Sequence, residues 1–245
     1  MARWRFLLFA SSTLVGGCAE SSAEPQGGAE QGGSGVGGSA AVGGGENGGA
    51  GGEADLVCAG FASEVIDVSY GNGAGFGQKD MPGIVLGAPK GGGETTGSLD
   101  VVALGNGGSI TLGFGEQLIR NGDGPDFIVF ENAFWAGGDP ESPFAELGTV
   151  EVSADGETWL SFGCTATAAP YGACAGWHPV MAGGADSSAD AHNPATAGGD
   201  TFDLADVGLE TARFVRITDR ADITGLNGSF DLDAIALVSW SCPER

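Results

Sequence analysis

The chain has 245 residues, of which 32 are acidic and only 9 are basic, so its formal net charge is −23 at pH 7. A surface this acidic repels phosphate backbones, which argues against DNA or RNA as a partner. It suits an exported protein surrounded by solvent, and it leaves many carboxylates available to divalent cations.

The first residues have the pattern of an export signal. Arg3 and Arg5 precede an apolar run, which continues through small residues to LVGGC at 14–18. This ending resembles the lipobox of bacterial lipoproteins, in which cleavage leaves the cysteine as a lipidated first residue. The resemblance implies a signal peptide at 1–17 and a lipid anchor on Cys18 that attaches the protein to a membrane, at the outer membrane or the cell surface. An ordinary signal peptide with a chance cysteine is the alternative.

The next segment, 18–55, predicts a flexible tether. After Cys18 it consists mainly of Gly, Ser, Ala and Glu, and it cannot bury enough apolar surface to offset the entropy of ordering. Residues 56–245 then predict one domain, since their number suits a single all-β unit better than two.

Short apolar segments separated by turn residues predict that this domain is an all-β antiparallel sandwich. Alternation places Ile110, Leu112 and Phe114 on one face of their strand. Asp155-Gly156 predicts a hairpin with a type I′ turn. Helical turns are expected only at 144–147 and near 202–207, the latter capped by Asp203. The predicted strands are 65–70, 84–86, 99–104, 109–114, 126–131, 149–153, 158–162, 213–218 and 233–240.

The stretch GDGPDFIVFENAF at 122–134 contains the most informative strand. Its centre is apolar at consecutive positions, which predicts a central strand buried on both faces. Oxygen-bearing side chains lie at its two ends, and they are either calcium ligands or solvated surface charge. These side chains are Asp123, Asp126, Glu131 and Asn132.

Four cysteines besides Cys18 are expected to be oxidised in an exported protein, and four cysteines allow three pairings. We favour Cys164 with Cys174, which closes a short loop, and Cys58 with Cys242, which joins the two ends of the domain.

Several motifs resemble known β-sandwich domains. The segments VEVSADGETW at 150–159 and ARFVRITD at 212–219 look like the strand motifs of discoidin-type domains, which belong to the galactose-binding-like jelly-roll group. Together with GSITLGF, GPDFIVFENAF, FDLADVGL and FDLDAIALV, they resemble a family of uncharacterised bacterial cell-surface proteins. The resemblance covers most of 84–240 and implies the jelly-roll fold, but it implies no activity.

In carbohydrate-binding and discoidin-like relatives a structural calcium often uses an acid from the last strand, and Asp233 has a matching place. The resemblance therefore implies Ca²⁺ as a structural cofactor. Two groupings are open, one with Asp123 and Asp126 and one with Glu131 and Asn132, either joined by Asp233. Asp231 shares a strand face with Asp233 and either reaches the same ion or caps a turn.

The chain shows no nucleophile elbow or zinc-protease helix, and its two histidines, His178 and His192, are interpreted as ordinary loop residues. Loop aromatics are better candidates, because aromatic rings stack on sugars or close the end of a sandwich. They are Trp135, Tyr171 and Trp177.

The sequence thus predicts a non-enzymatic binding or adhesion module for a glycan or another cell-surface ligand. The alternatives are a structural envelope protein without a soluble ligand and a glycoside hydrolase that uses Asp126 and Glu131. The segment 175–199 predicts a long loop that is either functional or disordered.

Overall fold

The computed structural model describes residues 58–223 and 228–243. The predicted signal peptide, lipidated Cys18 and tether all lie outside these residues. The described residues form an all-β fold of antiparallel sheets, as predicted. The strands are β1 (Glu64–Ser69), β2 (Val102–Ala103), β3 (Ser109–Gly113), β4 (Leu118–Arg120), β5 (Phe127–Phe130), β6 (Phe134–Trp135), β7 (Pro143–Phe144), β8 (Gly148–Ser153), β9 (Leu160–Ser161), β10 (Asp200–Phe202), β11 (Thr211–Ala212), β12 (Phe214–Asp219), β13 (Asp231–Leu232), β14 (Ala234–Leu237) and β15 (Trp240–Ser241).

The largest sheet has five strands in the order β1-β3-β12-β8-β9. Its three middle strands alternate as predicted, so every second side chain enters the main core. Val215 of β12 faces both Leu112 of β3 and Val152 of β8 across the ladder. These cross-strand apolar pairs set the register, because a shift of one residue would turn the whole apolar face to solvent.

The predicted central strand is confirmed as β5, which lies between β10 and β14 in a second sheet. All four of its side chains are buried. Phe127 and Val129 enter the main core, whereas Ile128 and Phe130 contact a second cluster with Val180. The long segment 175–199 therefore covers the outer face of this sheet, and this explains why β5 is apolar at consecutive positions.

Three smaller sheets complete the fold, with the orders β11-β4-β15, β13-β2 and β6-β7. Both favoured cysteine pairs lie at disulfide distance, with Cα atoms 5.8 Å apart for Cys58–Cys242 and 4.6 Å apart for Cys164–Cys174. The helical segments are short 3₁₀ turns: Gln78–Asp80, Gly83–Val85, Ala136–Gly138 and Leu204–Val207.

Two predicted elements are wrong. Residues 84–86 are not a strand, since Pro82 starts the 3₁₀ turn Gly83–Val85 and its carbonyl accepts the Val85 N–H at 3.2 Å. Residues 144–147 are not helical. Phe144 lies opposite Phe134 in the β6–β7 pair, and their rings stack with centroids 4.7 Å apart, so this pairing outweighs the local helical tendency.

The predicted cap and the predicted hairpin are confirmed, whereas the predicted type I′ turn is wrong. Asp203 caps the 3₁₀ turn Leu204–Val207 and accepts the Ala205 N–H at 2.8 Å. The hairpin at Asp155-Gly156 joins β8 to β9, but its loop is longer than a two-residue type I′ turn. The Asp155 carboxylate accepts the backbone N–H groups of two following residues, at 2.8 Å each, and this side-chain turn widens the connection.

Candidate ligand-binding site and acidic cluster

The three predicted ligand-binding aromatic residues differ in their exposure. Trp135 and Trp177 are partly exposed, whereas Tyr171 is buried. Tyr171 packs edge-to-face against Trp177, with ring centroids 5.8 Å apart, and it lies beside the Cys164–Cys174 disulfide. It therefore supports Trp177 and lines neither of the two pockets described next.

Two pockets open at this surface, and both are lined by Trp135 and His178. The first has a volume of about 360 Å³ and the second about 320 Å³. Their further lining residues include aromatic, proline and acidic side chains. Trp177, Pro140, Glu141, Pro143 and Pro170 line the second pocket, and Glu94, Met181, Pro194, Thr196 and Thr201 line the first.

His178, which the sequence interpretation assigned as an ordinary loop residue, lines both pockets and is therefore a candidate site residue. Its Nδ1 lies 2.7 Å from Oδ1 of Asp200, a carboxylate that is only 4 % exposed at the start of β10. Oδ2 of Asp200 accepts the N–H groups of Gly176 at 2.6 Å and Trp177 at 3.2 Å. One buried carboxylate thus orients the imidazole and holds the backbone that carries Trp177. Because Nδ1 is engaged, Nε2 is the ring nitrogen that can meet a ligand.

Glycine is required on one wall of the first pocket. Gly198 has φ of 72°, and a Cβ there would collide with the carbonyl oxygen of Pro179. Its backbone therefore packs closely against the segment that follows His178, and this close approach gives the wall its shape.

The two predicted calcium ligands at the turn end of β5 lie in different environments. Asp123 is exposed, whereas Asp126 is fully buried. The Asp126 oxygens accept the N–H groups of Gly122 and Leu204, each at 2.8 Å. Burial raises the pKa of Asp126 above its ordinary value, although these two N–H groups oppose the rise. Asp126 therefore serves as an internal anchor of two loops.

At the other end of β5, Asn132 and Asp233 are also engaged by backbone. Asn132 Oδ1 accepts the Ser98 N–H, and the Asp233 carboxylate accepts the Lys90 N–H at 2.9 and 3.0 Å. Burial raises the pKa of Asp233 to about 7. Asp231 lies beside Glu131, whose carboxylate accepts the Asp231 N–H. Burial and then the charge of Asp219 raise the pKa of Asp231.

Glu131 lies near three other acids, of which Glu146 and Asp219 are buried and Asp231 is half-buried. Glu131 itself is 2 % exposed, its Oε1 accepts the Asp231 N–H at 3.2 Å, and its Oε2 has no hydrogen-bond partner. Burial, followed by the charge of Glu146, raises its pKa well above the ordinary value. The structure adds Glu146 and Asp219, which the sequence interpretation did not select, to Glu131 and Asp231.

In this acidic cluster (Glu131, Glu146, Asp219 and Asp231) like charges raise pKa values, while a hydrogen bond between the Glu131 and Glu146 side chains opposes the rise for Glu146. Burial and then the charge of Asp231 raise the pKa of Glu146 to about 8, and burial and then Asp219 raise that of Asp231 to about 6. Within 58–223 and 228–243, no three His, Cys, Asp or Glu side chains are already grouped as a metal site.

Asp126 and Glu131, the predicted hydrolase pair, line neither of the two pockets. The carboxylates that do line them, Glu94 and Glu141, are exposed. His192 also lies away from them: it contacts the Leu237 carbonyl at 2.7 Å and packs between Phe61 and Trp240.

A scan against protein-family models and a search of the curated proteins found no match to this chain. The resemblance to bacterial cell-surface proteins thus stays a prediction. In the described ranges, no helical segment has the length and apolar character needed to traverse a lipid bilayer.

Proposed function

We propose that this protein is a surface-anchored lipoprotein whose β-sandwich domain binds a glycan or another cell-surface ligand without chemical turnover. The observation that carries this proposal is that Trp135 and His178 line both pockets at one surface of the domain. A ligand that extends over both pockets would contact the two residues at its centre.

The lining has the composition that sugar recognition requires. The indole rings of Trp135 and Trp177 are partly exposed, and such rings can stack on the C–H face of a pyranose ring. His178 supplies a polar group whose orientation is held by Asp200. The pocket volumes lie within the range of about 300 to 1,000 Å³ that is typical of small-ligand sites.

The charge of the site narrows the ligand class. Glu94 and Glu141 line the pockets, and the chain as a whole has a net charge of −23. Sulfated and uronic-acid glycans would meet repulsion from these carboxylates. Neutral glycans are the expected ligands.

The anchor is supported by the sequence of the first 18 residues and by the two disulfides, which are typical of oxidising compartments outside the cytosol. Replacing Cys18 with Ser is expected to move the protein from the membrane fraction to the soluble fraction. Retention of the variant in the membrane fraction would contradict lipid attachment.

The binding site is tested with a glycan array and calorimetry on the full chain. Trp135→Ala and Trp177→Ala should each weaken binding by about tenfold, or about 1.4 kcal/mol, because each removes one stacking face. Trp159→Ala is the matched control. The guanidinium carbon of Arg216 lies 3.6 Å from the centroid of the Trp159 ring. Trp159 lines neither pocket.

Other outcomes separate the alternative functions. Unchanged binding in both pocket variants, with their stability intact, would contradict this site. The absence of any glycan or cell-surface binding would favour a structural envelope protein. Release of reducing sugar from a bound glycan would identify a hydrolase instead.

A further inference from the structure

Asp200 determines which nitrogen of the His178 ring carries a hydrogen. Asp200 is 4 % exposed, and its Oδ1 lies 2.7 Å from Nδ1 of His178. Its Oδ2 accepts two backbone N–H groups, and an ionised carboxylate offers acceptors only. The contact at Oδ1 therefore requires that the Nδ1–H of His178 donates. In a neutral imidazole of this form, Nε2 has no hydrogen and is an acceptor.

The His178 ring is held from a second side by Trp177. The centroids of the two rings lie 3.7 Å apart, and the ring planes meet at 37°. The indole of Trp177 is fixed in turn, because its Nε1–H donates to the Cys174 carbonyl at 3.0 Å and Tyr171 packs against it. A flip of the imidazole would also break the hydrogen bond to a buried carboxylate, which is costly. Nε2 therefore keeps one orientation.

The other ionisable side chains that line the two pockets are acceptors as well. Glu94 lines the first pocket and Glu141 lines the second, and ionised carboxylates have no hydrogen to donate. A ligand group that meets Nε2 of His178 must therefore supply the hydrogen of the bond. A carboxylate or a sulfate cannot do so. The hydroxyl of a neutral sugar is an uncharged donor and meets this requirement.

We propose that His178 determines the specificity of the ligand site by accepting, at Nε2, a hydrogen bond from a sugar hydroxyl, and that Asp200 is the residue that positions it. This inference rests on the proposed function and adds the direction of the hydrogen bond at the centre of the site. The ligand class is thereby narrowed to sugars that present a free hydroxyl between the two pockets.

The position of the hydrogen is tested by NMR on the isotope-labelled full chain at mildly alkaline pH, because imidazole nitrogen shifts separate both neutral tautomers from the imidazolium ion. The chain has two histidines, and the variant His178→Phe assigns their signals. We expect Nδ1–H on His178. His192, whose Nδ1 contacts the Leu237 carbonyl at 2.7 Å, is the internal control and should also carry Nδ1–H.

Asp200→Asn should move the hydrogen of His178 to the other ring nitrogen. The two backbone N–H groups that Oδ2 accepts retain an oxygen as their partner, so the amide NH₂ of the new side chain would face His178. Nδ1 must then accept, and Nε2 carries the hydrogen. The tautomer of His192 should not change. Asp123→Asn, an exposed substitution that removes the same charge, should leave both histidines as in the wild type.

The direction of the ligand bond is tested by calorimetry on the full chain. The probes are the methyl glycosides of glucose, galactose, mannose and N-acetylglucosamine, with monodeoxy and monodeoxyfluoro analogues of those that bind. Fluorine cannot donate a hydrogen bond. At one ring position both replacements should therefore weaken binding by roughly threefold to tenfold, the range of one neutral hydrogen bond. The loss should disappear in His178→Phe, which keeps an aromatic ring but has no acceptor.

The outcomes that contradict this inference differ from those that contradict the proposed function. An Nε2–H tautomer or an imidazolium ion at His178 of the wild type would reverse the direction of the bond. An unchanged tautomer in Asp200→Asn would remove the positioning role. Deoxyfluoro analogues that all bind like the parent glycoside, or failure of these glycosides to bind while an array detects a larger glycan, would overturn this inference alone. The absence of all glycan binding would overturn the proposed function as well. The wild-type measurements decide even if a variant fails to fold.

Discussion

Asp233 is a buried carboxylate whose ionisation bears directly on stability. It is 1 % exposed, and its pKa is raised to about 7, first by burial and then by the charge of Asp100. The Lys90 N–H and the Lys90 charge oppose this rise, and the Lys90 ammonium itself lies 2.6 Å from Asp100. A carboxyl whose folded pKa is raised contributes stability that is present below the ordinary aspartate pKa and is lost as pH rises toward 7.

We predict that Asp233→Asn flattens the dependence of stability on pH between about 4 and 7. Across this interval the unfolding free energy of the wild type should fall by up to about 4 kcal/mol more than that of the variant. This figure is the difference between the folded and unfolded pKa values of Asp233 multiplied by 1.36 kcal/mol per unit. Urea unfolding at several pH values without divalent cations measures the difference. Asp123→Asn is the exposed control and should keep the wild-type slope. A slope in Asp233→Asn equal to that of the wild type would refute the prediction.

Residue roles were predictable from sequence where they depend on near neighbours. Asp203 caps a turn that begins one residue later, so its role follows from local chemistry. The His178–Asp200 contact joins positions 22 residues apart across a loop, and nothing in local spacing indicates it. The available signal was an acid at the start of a short buried strand, since such a charge needs a partner.

Among the secondary-structure elements, β5 shows that a strand buried on both faces has apolar residues at consecutive positions. Its consecutive apolar residues are explained by two separate clusters, one on each face. The strands with clear alternation were predicted. In contrast, β4 and β10 were missed, because each has three residues and so short a segment cannot reveal an alternating pattern. The pockets could not be predicted, since several loops that are distant in sequence line them.

We predict that Ile128→Ala lowers the free energy of unfolding by about 2 to 5 kcal/mol, because it leaves a cavity between β5 and the covering segment. Ile128 is fully buried in the second cluster with Phe130 and Val180. Ile66→Ala in β1 is the matched control, since Ile66 is 49 % exposed, and its loss should stay within about 0.5 kcal/mol. Chemical denaturation measures both. Equal losses would show that the segment 175–199 does not pack firmly on this face.

For the whole molecule, the all-β class and both disulfides were predictable, because they depend on overall pattern and on cysteine position rather than on exact contacts. The two bridges differ greatly in span: Cys58–Cys242 separates its cysteines by 184 positions and Cys164–Cys174 by 10. The longer loop loses more conformational freedom in the unfolded chain.

We predict that the paired substitution of Cys58 and Cys242 by Ser costs about 5 kcal/mol of unfolding free energy, and that of Cys164 and Cys174 about 3 kcal/mol, from loop entropy. Thermal and chemical unfolding of the two double variants give the comparison. The second variant should also weaken ligand binding, since Tyr171 and Trp177 pack beside that bridge. A larger stability loss from the short bridge would contradict the entropic account.

The Cys58–Cys242 bridge also determines how a mechanical pull would enter the domain. If the chain is anchored through Cys18 as proposed, tension on the domain enters at Cys58, and the covalent link passes part of it to the segment after β15. The load is then shared between two ends of the β-sandwich, because β15 is paired with β4 while β1 is paired with β3. Peeling one terminal strand alone would not release the tension, so the oxidised domain is expected to unfold at a higher pulling force than the reduced one.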